Sequence, residues 1–420
     1  MKLSENLVNM SSLLSPKEKN CDNIDAQSQT KPSSPIIPIC TIAYSDAYLS
    51  CTTLMDECIR THLARRDDGD SSALLEIARK GYEITASVIS HNLGHYSAWS
   101  YRRECIYDMI RLGNGEPLGE RDLISLSRRF IGLERDFIRS NGGSNPKNYQ
   151  LWAHRRSLLE EIYGETLGHG ADGATVEETG WDCTYNYEEE MSYLENVLVG
   201  EDAKNYHAWA HRQWVVHRYM VADEMQKYTK NELDFSAKMI RLDCRNNSAW
   251  NQRWFTYRFC QIEMSKSDDC VEVMDDDIVS FLRSEADFSF TIITLDAYNE
   301  SPWLYLTEVV LEHVRLLTHH QIQNNLRSSL IDDIVNRIDV VEEVDYLSRD
   351  NSSDNQSVVS IHKLTTKIEL LEAKGDISSI RKAIQITENL ASKHDRIRSK
   401  YWYHRYNQLK DRIEETEVVS

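Results

Sequence analysis

A lysine, a tyrosine and a glutamine stand together at positions 147, 149 and 150, inside the stretch KNYQLWAHRR. A lysine held in place is a cation that can meet an anion and stabilise charge as it grows. Free N–H groups at a helix start, with a side-chain amide beside them, suit an anionic ligand. The stretch KNYHAWAHRQ at 204–213 repeats the pattern with Lys204, Tyr206 and His207. Turn lysines are mostly solvated. Lys147 and Lys204 share one slot, so position alone does not choose between them. Gln150 differs, because other copies carry Ser97, His207 or Ser248 in its place. A residue that breaks its own repeat's pattern is the better site candidate.

These residues need elements to hold them. Aligned on tryptophan, six copies stand out: Trp99, Trp152, Trp209, Trp250, Trp303 and a remote Trp402. The shortest spacing, from Trp209 to Trp250, suggests a unit near 40 residues, and longer gaps hold insertions. Before the tryptophan runs an amphipathic helix. Tyr187, Met191, Leu194 and Leu198 fall on one helical face. A polar turn follows. Then Asn148, Asn205, Asn246 or Asn299, each four residues before its tryptophan, caps a second helix. Arg102, Arg155, Arg212, Arg253 and Arg405 follow three residues after tryptophan, on the same face, and Leu306 replaces arginine in one copy. The expected roles are architectural. Tryptophan fills the core between hairpins, and arginine lays its stem there and pairs with a carboxylate or carbonyl of a neighbouring helix. A single hairpin cannot cover its own apolar face, so the expected architecture is a stack of hairpins.

Composition agrees with a helical, water-soluble chain. Of 420 residues, 41% are hydrophobic and 27% charged, with 7 prolines and 16 glycines. Few prolines and glycines disfavour an all-β fold. The net charge of −19 disfavours nucleic acid as a partner. Nine cysteines are scattered without a CxxC pair, which suggests reduced thiols and gives no zinc-ligand spacing. No run approaches a membrane span, and the first residues lack a signal-peptide core. A cytoplasmic location is expected.

Residues 1–38 are polar and aperiodic and are expected to be a disordered tail. Residues 39–415 are expected to form one helical-repeat domain. Its insertions are glycine-rich at 164–180, acidic at 263–277 and polar at 340–357.

The ordered Asn-Tyr-x-x-Trp-x-x-Arg copies resemble the protein prenyltransferase α-subunit repeat family. KNYQLWAHRR, DAKNYHAWAHRQWVV and NNSAWNQRWF carry the likeness. It is closest to the α subunit shared by farnesyltransferase and geranylgeranyltransferase type I, over roughly 40–310. The resemblance implies an all-α fold, a right-handed superhelix (crescent-shaped α-α solenoid) of helical hairpin repeats. It implies a heterodimer with a prenyltransferase β subunit. That enzyme moves farnesyl or geranylgeranyl from its diphosphate to a C-terminal cysteine of CaaX-terminated proteins such as small GTPases. No cofactor is expected on this chain. Zinc, with magnesium as a further candidate, is expected in the complex, the zinc on the β subunit.

By the same resemblance, Lys147 is the catalytic cation facing the diphosphate, and Gln150 binds the substrate's C-terminal carboxylate. Tyr149 stands beside them. Tyr206 and His207 match residues near the diphosphate, where His207 can donate to phosphate or be a structural cap residue. Tyr96 is the equivalent in the first copy. Trp99, Trp152, Arg155, Trp209, Arg212, Trp250, Arg253 and Trp303 are structural. Two other readings stand: the α subunit of Rab geranylgeranyltransferase, which shares the repeats, and a helical-repeat scaffold without a transferase partner.

Overall fold

The computed structural model describes residues 43–113, 120–142, 146–162, 183–219, 225–264, 274–319, 324–341 and 359–419. They divide at 181/182 into two compact units. Every element among the described residues is helical, as expected. The first unit holds α1 (Asp46–Asp68), α2 (Ser71–His91), α3 (Tyr96–Leu112), α4 (Glu120–Gly142) and α5 (Tyr149–Ser157). The second holds α6 (Cys183–Glu195), α7 (Tyr206–Tyr219), α8 (Met225–Leu242), α9 (Asn247–Met264), α10 (Met274–Ile293) and α11 (Glu300–His319). It continues through α12 (Asn324–Val340), α13 (Ile361–Lys374), α14 (Ile377–Asn389) and α15 (Ser399–Val419). No described helix is long and apolar enough to cross a membrane.

The six repeat tryptophans are core residues, from 0% exposed for Trp99 to 7% for Trp152. Each indole N–H is also satisfied. Trp99, Trp152, Trp209, Trp250 and Trp303 donate to the carbonyls of Leu93, Pro146, Ala203, Cys244 and Ala297, all at 2.8–3.0 Å. Each acceptor lies six residues back, in the turn before the second helix, so the indole ties that turn down. The asparagine caps form as expected. Asn148, Asn205, Asn246 and Asn299 accept from the N–H groups of Gln150, Ala208, Ser248 and Ser301. In the first copy His95 takes this role, its Nδ1 accepting from Ala98 N at 3.1 Å.

The arginines pair with carboxylates of the next hairpin. Arg102 forks onto Glu134, Arg212 onto Glu232 and Arg253 onto Glu285, with N–O distances of 2.6–2.8 Å. These are buried, bidentate pairs, so each carboxylate is held in plane. A residue two positions after tryptophan completes the acceptor. His154 bonds Glu134 at 2.8 Å, His211 bonds Glu190 at 3.0 Å, Gln252 donates to Glu232 at 2.8 Å and Tyr305 donates to Glu285 at 2.6 Å. Glu134, Glu232 and Glu285 each precede their own hairpin's tryptophan by eighteen residues. Glu190 precedes Trp209 by nineteen, because a π-helical turn at Asn196–Glu201 absorbs one extra residue.

The first copy departs from this plan. Gly81 stands where the others have glutamate. A Cβ there would meet Tyr101 Oη at 2.6 Å and Cys105 Sγ at 2.7 Å. Tyr101 therefore fills the glutamate's place and bonds His62 Nδ1 at 3.1 Å. His62 in turn joins Asp108, Arg66 and Glu104 in a buried charged cluster. The last copy also departs. Arg405 pairs back to Glu369 and Glu372 on α13, and Trp402 donates to the Asp395 carboxylate at 2.7 Å. Leu306, where arginine is missing, is wholly buried.

The expected tail at 1–38 and the insertion at 164–180 lie outside the described residues. Of the insertion expected at 263–277, residues 265–273 lie outside the described residues. Residues 263–264 close α9, and 274–277 open α10. Of the expected insertion at 340–357, only 340–341 are described.

Candidate functional site

In the first unit the candidate residues cluster at the start of α5. Asn148 is the cap, in extended conformation (φ −71°, ψ 113°), and its Oδ1 accepts from Gln150 N at 2.8 Å. Trp152 Nε1 bonds the carbonyl of Pro146 at 2.8 Å. Lys147 thus lies between two anchored residues. Its backbone is fixed while its side chain is exposed. Tyr149 is 60% exposed beside it. Gln150 turns inward and is buried, 6% exposed. The cluster therefore presents a cation and a phenol outward, with the glutamine in the wall behind them.

That wall is rigid. Leu151, Trp152, His154 and Arg155 are all buried. The His154 and Trp99 rings lie 4.9 Å apart. Burial pushes the His154 imidazole down to about 4 despite its bond to Glu134. It is therefore neutral near pH 7 and donates through Nε2. Burial raises the Glu134 carboxyl, but the bonds from His154 and the Arg102 charge outweigh it and hold it at about 2. These ionised and neutral partners lock α5 onto α4 and α3.

Tyr96 opens α3 in the first unit and is 68% exposed. Tyr206 opens α7 in the second unit and is 77% exposed. The tyrosines at this slot are thus outward in three successive copies, whereas the tryptophan three residues on is inward. His207 is half-buried, and its ring meets that of Tyr206 edge-on at 5.5 Å. Lys204 holds Asp243 at 2.9 Å. The bond from Lys204 keeps the Asp243 carboxyl below its ordinary range. Lys204 thus has a structural task that its matching position to Lys147 did not reveal.

Two features of this edge escaped the sequence reading. Asp202, Asp243 and Asp296 stand seven residues before their tryptophans. Each accepts the N–H two residues on, from Lys204, Arg245 and Tyr298, at 2.9–3.2 Å, and so shapes the turn. Arg245 is the third cation at the lysine slot, and it pairs with Asp296 at 2.7 Å. Alignment on tryptophan held both signals. Among the described residues no group of three or more His, Cys, Asp or Glu side chains is placed to hold a metal ion.

The sequence matches the protein prenyltransferase alpha subunit repeat at residues 79–109, 134–162, 187–219 and 229–260. Those segments coincide with the hairpins described above. The geranylgeranyl transferase type-2 subunit alpha of Saccharomyces cerevisiae is 22% identical over 224 residues, 53% of this chain and 55% of that one. The protein farnesyltransferase/geranylgeranyltransferase type-1 subunit alpha of Dictyostelium discoideum is 26% identical over 315 residues, 68% of this chain and 80% of that one. The chain spans about half the length of the fungal type-2 relatives it matches. Among solved structures, Candida albicans protein geranylgeranyltransferase-I complexed with GGPP aligns with a TM-score of 0.52 at 22% identity. That alignment covers 91% of this chain and 95% of the other. The likeness shows a shared fold.

Proposed function

We propose that this chain, which carries protein prenyltransferase alpha subunit repeats, is the α subunit of a heterodimeric CaaX protein prenyltransferase in the cytoplasm. A zinc-bearing β subunit would be its partner. Together they would transfer farnesyl or geranylgeranyl from its diphosphate to a C-terminal cysteine. The observation that carries this reading is Lys147, an exposed cation on a turn anchored on both sides, beside the exposed Tyr149.

The partner's zinc would supply the cysteine as a thiolate. The sulfur forms a bond to the first carbon of the lipid. The carbon–oxygen bond breaks, and diphosphate leaves with the electron pair. Lys147 meets the charge growing on that diphosphate, and its fixed backbone means little reorganisation accompanies the step. Tyr149, exposed beside Lys147 in the same unit, faces the same anion. Gln150 is assigned the substrate's terminal carboxylate, although its side chain is buried in the free chain.

A second reading has support of its own. Type-2 α subunits recur among the relatives, and such a chain would serve Rab proteins. One assay separates the two. The purified complex is given labelled farnesyl or geranylgeranyl diphosphate, with either a peptide ending in Cys-aliphatic-aliphatic-X or a Rab protein with its escort. Transfer to the peptide supports the CaaX reading. Transfer to the Rab protein alone overturns it in favour of the second.

A further inference from the structure

The turn between α14 and α15 carries charge opposite to that of the chain. Residues 377–410 hold eight Lys or Arg against two Asp or Glu, a local +6 in a chain of net −19. The excess gathers at one place. Lys393, Arg396, Arg398 and Lys400 lie within eight residues and are exposed. Asp395, the one acid among them, is 7% exposed and already bound by Arg398 at 2.6 Å and Trp402 at 2.7 Å. It offsets Arg398 and leaves Lys393, Arg396 and Lys400 as the excess charge of the turn.

At the tip of this turn, in the 3₁₀ segment Arg396–Arg398, Ile397 is 100% exposed. It occupies the slot that holds Lys147, Lys204 and Arg245 in other copies. Tyr401 and Tyr403, 49% and 47% exposed, flank the buried Trp402. Trp402 and the Asp395 bonds pin the turn, so the tip is presented by a fixed base. A fully exposed aliphatic side chain, with exposed cations and half-exposed tyrosines within six residues of it in the chain, matches the chemistry of a lipid headgroup layer. The aliphatic group enters the acyl boundary, tyrosine sits at the headgroup level, and lysine and arginine meet anionic phosphates.

We propose that residues 393–403 dock this chain on an anionic phospholipid surface. The acidic remainder of the chain is repelled by such a surface, so this turn sets which face approaches. The inference stands on this turn alone and does not depend on the transferase reading.

The test is flotation of the full chain with phosphatidylcholine vesicles, with and without 30% phosphatidylserine. Binding is expected only with phosphatidylserine and is expected to fall as salt rises. The variant Lys393→Glu/Arg396→Glu/Lys400→Glu changes exposed side chains only. It is expected to weaken partition about a hundredfold or more with an unchanged melting temperature. Ile397→Ser is expected to weaken it several-fold at constant charge. Millimolar inorganic phosphate is expected not to compete, since a free anion does not engage Ile397. Wild-type chain that ignores phosphatidylserine vesicles overturns the proposal and leaves the patch to an acidic protein. So does a triple variant that floats as well as wild type.

Discussion

Asn246 and Trp209 donate to the same oxygen. The carbonyl of Ala203 accepts Asn246 Nδ2 at 2.8 Å and Trp209 Nε1 at 2.9 Å. The next copy repeats the arrangement, with Asn299 and Trp250 sharing the carbonyl of Cys244. The cap asparagine therefore has two tasks. Its oxygen starts its own helix, and its amide clamps the turn of the preceding hairpin. Asn246→Ala removes both and is expected to cost about 2–3 kcal/mol in denaturant unfolding. Asn246→Asp keeps the cap acceptor and loses the bridging donor, so it is expected not to restore stability. An aspartate variant as stable as wild type would remove the bridge from the account.

The first copy's departure can be read in Gly81, with Gly132 of the next hairpin as its contrast. Gly81 is packed against Tyr101 and Cys105, whereas Gly132 in α4 has nothing within 4 Å of its Cβ position. Gly81→Ala is expected to destabilise by about 1–3 kcal/mol through overpacking. Gly132→Ala is expected to stabilise by up to about 1 kcal/mol through helix propensity. Paired thermal melts check the opposite signs.

Two buried histidines make the fold acid-sensitive. Burial lowers His154 and His313 to about 4 in the folded chain, against 6.5 for the ordinary group. Between those values the unfolded chain binds protons that the folded chain does not. Stability is therefore full above pH 6.5 and falls as pH drops toward 4, by on the order of 2–3 kcal/mol for each histidine. Glu134, depressed to about 2, extends the loss below 4.5. Melting temperature measured from pH 7 to 4 checks this, and a flat profile would contradict it. His313→Gln is expected to flatten the limb by one histidine's share.

Lys147 and Lys204 form a matched pair for the chemistry. Lys147→Ala is expected to lower the single-turnover rate about a hundredfold, with lipid diphosphate binding less affected. Lys204, held by Asp243, is expected to tolerate alanine within about threefold. Equal rates for Lys147→Ala and wild type would remove that residue from the diphosphate.

Much of this was legible in the sequence because the repeat multiplies each signal. Tryptophan, the cap asparagine and the paired arginine recur at fixed offsets, so hairpins, caps and core could be assigned before any coordinates. The acceptors were harder. Glu134, Glu232 and Glu285 lie eighteen residues ahead of the tryptophan on a different helix, and Glu190 lies nineteen because of a π-helical turn. Local periodicity does not reach that far. The inward turn of Gln150 was hidden too, since a residue at a helix start can face either way. The basic turn at 393–403 went unremarked because the net charge of −19 masks it.

The central claim is that this chain works as one half of a prenyltransferase. The most direct measurement is affinity purification of the tagged full chain from its own cells, with the mass, stoichiometry and zinc content of what accompanies it. A 1:1 complex with one helical, zinc-bearing partner is the result expected. A lone zinc-free chain, or a mixture of unrelated partners, would contradict the claim and return Lys147 to the status of a surface lysine.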